Sequence, residues 1–330
     1  MSAGAPGPGA PEPGPLVEWY RRCARDLPWR RPGTGPYAVL VCEVMSQQTP
    51  VARVEPAWRE WMRRWPDPAA LAAAPTAQVL RVWGRLGYPR RALRLIAAAR
   101  AIVAEHGGTL PEGYEELLAL PGVGPYTAGA VRAFAYGRRA LALDTNARRV
   151  LARAVGGTAL PPPSPGRAER ERAEALLPPD DAGAARWSAA VMELGALVCT
   201  ARDPRCGDCP WRGRCAWAAA GRPPDEHAVR RRRQAWRGTD RQARGLVMAR
   251  LRETGPGQCV DREELLAAAA GTPADASAGA SATASDRAGG CASGRAGDQA
   301  DPRRPERILA GLLADGLAAT DDGGATYRLP

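Results

Sequence analysis

The sequence contains no lysine. All 46 basic residues are therefore arginine, and no internal side-chain amine is available to form a Schiff base. No apolar run approaches the ~20 residues that a membrane-spanning helix needs. The first residues are rich in proline, glycine and alanine and lack the basic region and apolar core of a secretory signal. These absences predict a cytoplasmic chain, where disulfides are disfavoured. No strand pattern precedes the C-terminal end, which predicts an all-α fold.

What is present is arginine and length. The chain has 330 residues and a net charge of +11, enough for two domains or one with an appendage. A basic balance of this size suggests a polyanionic partner.

The chain is organised around residues 120–155, LPGVGPYTAGAVRAFAYGRRALALDTNARRVLARAV. A short apolar helix ends at Leu120, Pro121-Gly122-Val123-Gly124 turns, and Pro125 opens the next helix. Backbone N–H groups of such a turn can form an anion-binding nest. Arg132, Arg138, Arg139, Arg148, Arg149 and Arg153 surround it, so the stretch reads as a phosphate grip. An ordinary helix hairpin with a glycine cap is the alternative. Asp144 stands where a new apolar periodicity begins, as an N-cap, as an ionised carboxylate held by the helix start, or as both. The helix expected over Pro36–Gln48 is apolar except for Glu43. Burial would raise the pKa of that acid; a salt bridge to an arginine is the alternative. Cys199, Cys206, Cys209 and Cys215 are spaced C-x6-C-x2-C-x5-C. Four such thiolates can wrap an iron–sulfur cluster or a zinc ion.

The hairpin followed by ALDTNARRVLAR resembles the helix-hairpin-helix DNA glycosylases. Together with LPWRRPGTGPYAVLVCEVMSQQTPVARV (residues 27–54) and the cysteine spacing, it resembles the A/G-specific adenine glycosylases, the MutY family. The resemblance covers roughly Leu16 to Arg222. It implies one [4Fe–4S] cluster on the four cysteines. It implies base excision of adenine mispaired with 8-oxoguanine or guanine in double-stranded DNA, by a likeness to enzymes associated with the nucleoid and acting as monomers. Glu43, in EVM-x-QQT, would be the acid and Asp144 the stabilising carboxylate, with Tyr126 and Asn146 orienting the site. The environments should push the two carboxyls apart, Glu43 upward and Asp144 downward. Gly122, Val123 and Gly124 would bind phosphate, Gln47, Gln48 and Tyr88 would contact or wedge bases, and Trp29 and Arg30 would border the base pocket. Trp29 fits a core role equally well. Strand-cutting relatives similar to endonuclease III place lysine where this chain has Tyr126, which favours a monofunctional hydrolase. Ser46 replaces the bulky apolar residue usual in the family. A thymine or uracil mismatch glycosylase of the same fold, or a non-catalytic DNA-structure binder, are the rivals.

The expected layout is a disordered tail (1–14), an iron–sulfur helical lobe (15–30 and 139–222), a six-helix barrel containing the hairpin (31–138), a basic linker (223–238) and a winged-helix-like module (239–330). That module should hold a disordered insertion near 271–303, a helix at 240–253 capped by Thr239, a capping box of Asp261 and Glu264 before a helix at 262–270, a helix at 304–315, and a hairpin near Asp321–Gly324. No run of alternating strands suggests the Nudix-like domain of longer relatives.

Overall fold

The computed structural model describes residues 11–230, 236, 238–271 and 301–330. The insertion expected to be disordered, the start of the tail and most of the arginine run after 230 lie outside the described residues. Helix α1 spans Pro13–Cys23, so the end of the expected tail is helical. Then come α2 (Pro36–Ser46), α3 (Val51–Arg64), α4 (Pro68–Ala72), α5 (Thr76–Trp83), α6 (Arg90–His106), α7 (Tyr114–Ala119), α8 (Pro125–Phe134), α9 (Thr145–Ala154), α10 (Arg167–Ala175), α11 (Asp181–Leu197) and α12 (Ala216–Ala219). The C-terminal part adds α13 (Asp240–Glu253), β1 (Val260–Asp261), α14 (Arg262–Ala270), α15 (Arg304–Ala314) and β2 (Thr326–Tyr327).

The chain packs as two units. One holds the residues up to Ala74 together with Arg94–Arg233; the other joins Pro75–Leu93 to the residues from Gln234 onward. Residues 75–93 were expected inside the barrel, yet they pack with the C-terminal module. Polar contacts within the second unit explain this. Arg81 donates to the carbonyls of Thr254 and Gly255 at 3.0 and 3.2 Å. Arg252 donates to the carbonyl of Gly84, and Arg90 pairs with Asp315 at 2.5 Å. The second unit holds α13, α14 and α15 together with one short two-stranded ladder. β1 pairs antiparallel with β2, Val260 opposite Tyr327, and Ala319 bridges Arg328 across the wing. Thr239 caps α13 through the N–H of Gln242. The capping box is not made: Asp261 accepts no cap bond, and Glu264 is turned to Arg250 instead.

In the first unit, α2 is the helix the others wrap. Tyr37 through Met45 are all buried, as expected for a helix apolar on every side. It packs against α3 and α8, and the indole of Trp58 donates to the carbonyl of Ala38 at 2.8 Å. Val54, Trp58 and Trp61 form the buried stripe of α3. Pro50 is its N-cap, and the Thr49 hydroxyl donates back to the carbonyl of Gln47. A second core gathers Leu16 and Trp19 of α1, Val150 and Leu151 of α9, Trp187 and Leu194 of α11, and Trp211.

Glu193 of α11 crosses this unit fully buried. Its oxygens accept from the backbone N–H and guanidinium of Arg25 at 2.8–2.9 Å and from Arg30 at 2.9 Å. Those cations overcome the desolvation of the carboxylate and hold its pKa down to about 2. The folded value lies below the ordinary 4.5, so this stabilisation is present above the ordinary carboxylate range and fades as pH falls toward 2. Glu193→Gln leaves the arginines uncompensated and should lower unfolding free energy by roughly 3 kcal/mol. In the same urea titration, removing the exposed Glu18–Arg21 pair should change it by less than about 1 kcal/mol.

Candidate active site

Three helices bring the predicted acid chemistry together. Glu43 stands in the last turns of α2 and is 9 % exposed. The Tyr126 hydroxyl, in the first turn of α8, donates to its Oε2 at 2.8 Å. Burial pushes the Glu43 carboxyl up to about 7, with the Asp144 charge adding to the rise and the Tyr126 hydrogen bond opposing it. No arginine bonds it among the described hydrogen bonds, so the salt-bridge alternative is not realised. Tyr126 is itself pushed well above its ordinary value by burial and by the Glu43 charge, so its hydroxyl stays protonated and donates.

Asp144 is the N-cap of α9. It accepts from the N–H of Ala147 at 2.6 Å and from the Asn146 amide at 2.9 Å. The expectation of a lowered pKa is corrected: burial raises it, and the hydrogen bonds and the nearby Arg149 charge only partly offset that rise. A helix N-terminus favours the anion, but here the carboxyl is taken out of water and desolvation wins. Both carboxyls are therefore raised, and they differ in their partners. Glu43 has one hydroxyl donor, whereas Asp144 has amide donors that hold it in place and favour its ionised form.

Asn146 is fixed from its other side. Arg149, one turn along α9, donates to its Oδ1 at 2.8 Å, to the carbonyl of Gly195 at 2.7 Å and to the carbonyl of Cys199 at 2.8 Å. A buried polar chain thus runs from the Asp144 carboxyl to the backbone of the first cysteine. Gly195 makes room for it; a Cβ there would lie 2.8 Å from Asn146. Arg149, expected in the phosphate grip, instead fixes Asn146, a role the sequence reasoning did not give it. The available signal was its i, i+3 spacing from Asn146 on a capped helix.

The arginine shell is mostly not a phosphate grip. Arg138 pairs with Glu112, Arg139 with Glu174 at 2.5 Å, and Arg148 with Glu169 at 2.7 Å. Arg149 and Arg153 point into the cysteine lobe. Acids from α10 and the loops meet these arginines only in the folded chain, so sequence proximity misled. In the hairpin, Gly122 adopts a left-handed φ of 83° that favours glycine, and a Cβ there would strike Arg94 at 2.7 Å. The N–H of Val123 closes the turn onto Leu120, so it shapes the turn rather than facing outward. Gly124 is the extended N-cap of α8. Gln47 reaches the Thr127 hydroxyl at 3.4 Å. Exposed Gln48 and Tyr88, the latter in the second unit, both hold left-handed backbone, φ 55° and 46°, an uncommon state for residues with side chains that often marks functional positions. Trp29 packs edge-on against Trp58 at 5.7 Å, and Arg30 is engaged by Glu193.

The four cysteines lie in one loop system after α11. Cys209 feels the charge of Cys199, Cys206 and Cys215 together. Four thiol donors in one loop system, with a cation beside the first of them, have the chemistry of an iron–sulfur ligand set. Arg153 donates to Cys199 Sγ at 3.4 Å and to the Thr200 carbonyl at 2.7 Å, and its guanidinium lies over Trp217. That is a cation placed to offset the charge of a thiolate-ligated cluster.

Residues 41–178 match the HhH-GPD superfamily of base excision DNA repair proteins, and residues 199–215 match the iron-sulfur binding domain of endonuclease III. Fold and site thus define a helix-hairpin-helix DNA glycosylase class. The adenine DNA glycosylase of Mycobacterium tuberculosis is 54% identical over 241 residues, 72% of this chain and 77% of that protein. The adenine DNA glycosylase of Mycolicibacterium smegmatis is 52% identical over 239 residues, 72% and 80% of the two chains. A solved structure of a thermostable thymine-DNA glycosylase superposes with a TM-score of 0.57 at 26% identity, over 63% of this chain and 95% of that one. The chain belongs to the adenine DNA glycosylase family. It is a DNA N-glycosylase, a hydrolase acting on DNA, and carries one [4Fe–4S] cluster. No helix among the described residues is long and apolar enough to cross a membrane.

The raised pKa of Glu43 has a stability signature. From an ordinary 4.5 to about 7, the folded protein resists ionising this group, so the penalty is absent below about pH 4.5, grows across that window and is complete above about pH 7. Its size is of the order of 3 kcal/mol. Glu43→Gln is expected to raise the Tm at pH 8 more than at pH 5; an equal shift at both values would contradict the assigned direction. Tyr126→Phe removes a bond to the anion and should move the Glu43 titration, read by difference infrared spectroscopy of the carboxyl, to higher pH.

Proposed function

We propose that the protein hydrolyses the N-glycosidic bond of adenine mispaired with 8-oxoguanine or guanine in double-stranded DNA, acting as a monomer. The single observation that supports this best is the protonatable Glu43 held beside a hydrogen-bonded Asp144. The adenine must leave the base stack to be reached. Glu43 in its neutral form passes its proton to an adenine ring nitrogen, and the electron pair of the C1′–N9 bond leaves with the base. The sugar gains oxocarbenium character, which the Asp144 carboxylate stabilises. Water adds to C1′ and gives up a proton, leaving an abasic site and free adenine. Tyr126 and Asn146 hold the two carboxyls in position.

Gly122, Val123 and Gly124 shape the turn that meets backbone phosphate. Gln47, Gln48 and Tyr88 contact the bases, and Trp29 and Arg30 border the pocket from structural positions. The absence of lysine supports hydrolysis without strand scission.

The test is single-turnover base release from duplexes carrying 8-oxoguanine·A, G·A, G·T or G·U. Adenine release with strand cleavage only after alkali is the expected result. Release confined to G·T or G·U would replace it with a thymine or uracil glycosylase, and tight binding without release of any base with a DNA-structure binder. Glu43→Gln should slow adenine release by about 100-fold or more, with tight binding retained. The native rate should fall as pH rises through about 7, where Glu43 loses its proton.

A further inference from the structure

The second unit exposes two large aromatic side chains, Tyr88 at 40% and Trp236 at 54%. They are joined by one cation. The guanidinium of Arg241 lies 4.6 Å from the Tyr88 ring centre and 5.2 Å from that of Trp236. Arg91 approaches Tyr88 at 5.7 Å and stacks on buried Trp83 at 5.1 Å. Trp83, Arg91, Tyr88, Arg241 and Trp236 thus form a spatial ladder that starts in the core of this unit and ends in solvent. Its outer half comes from the start of α13, where the Thr239 hydroxyl donates to the Trp236 carbonyl at 2.8 Å.

The face of a winged-helix module that would ordinarily be expected to meet DNA is poorly suited here. Arg304 pairs with Asp240 at 2.9 Å, Arg307 with Asp301 at 2.6 Å, and Arg262 with Glu306 at 2.5 Å. The wing tip carries Asp321 and Asp322. Arg241 differs: among the described residues it makes no ion pair and lies against rings only. Exposed aromatic faces alternating with guanidinium planes suit stacking of an unpaired or unstacked nucleobase.

We propose that Arg241 and Trp236 extend Tyr88 into a base-stacking ladder, and that the C-terminal module through them contributes to recognition of the mispair. This rests on the mispair reading proposed above. Arg241 holds the Tyr88 ring as a positioning residue, and Trp236 offers its outer face to a base displaced at the mispair.

The experiment measures affinity of the full-length holoprotein for two duplexes of one sequence. One is fully paired; the other holds 8-oxoguanine opposite a 2′-fluoro-adenosine, whose electron-poor sugar resists cleavage. Trp236→Ala and Arg241→Gln should each weaken mispair binding by about tenfold or more and change binding to the paired duplex by less than about threefold. Trp236→Phe should retain mispair binding, and Trp236→Ala should leave the salt dependence of binding unchanged. Tm and the visible absorbance of the cluster report folding of each variant. Equal losses on both duplexes, a salt slope altered by about one charge in Arg241→Gln, or unchanged mispair binding in every variant would overturn the ladder. A native protein that does not distinguish the two duplexes would instead sink the mispair reading and the ladder with it.

Discussion

A carboxyl group buried without an ion-pair partner is the constraint on which the site depends. Glu43 lies in the helix that is least able to tolerate charge, packed among α3 and α8, and one tyrosine hydroxyl is its hydrogen-bond donor. A protein gains nothing in stability from such an arrangement. What it gains is a carboxylic acid that keeps its proton near neutral pH, and general acid catalysis needs that. The apolar character of α2 therefore serves two ends: it forms the core, and it sets the proton affinity of the one acid within it.

Glu193 shows how differently the same side chain behaves when the surroundings change. It is more completely buried than Glu43, yet two arginines and a backbone N–H hold it ionised. Desolvation is the largest influence on both residues; direct pairing with hydrogen-bonded arginines, present only at Glu193, decides the direction. Glu193 ties the segment at Arg25–Arg30 to α11, and through α11 it helps fix the ground on which α9 stands. Asp144 lies between these extremes, desolvated like Glu43 but supplied with amide donors.

Helix α9 links the chemistry to the cluster lobe. Its cap is Asp144, its first turn carries Asn146, and its next turns carry Arg149 and Arg153 toward Cys199. A cluster held at this loop secures the far end of the hydrogen-bonded chain whose near end is the carboxyl. Residues that look like a basic DNA-facing stripe in the sequence are thus largely engaged within the protein, Arg138, Arg139 and Arg148 by carboxylates and Arg149 and Arg153 by backbone carbonyls.

Much was legible in the linear sequence because it is encoded locally. Helix starts at Pro36, Pro125 and Asp144, the Gly122 turn, the buried stripe of Val54, Trp58 and Trp61, and the four-cysteine spacing each depend on neighbours a few residues away, where backbone geometry and periodicity dominate. Tertiary structure alone decided the partners of charged groups. It gave Arg138, Arg139 and Arg148 to carboxylates from other segments, turned Arg149 into the link behind Asn146, raised rather than lowered Asp144, and joined residues 75–93 to the C-terminal module. The reason is physical: desolvation and ion pairing depend on which distant surfaces close over a group, and no local pattern records that.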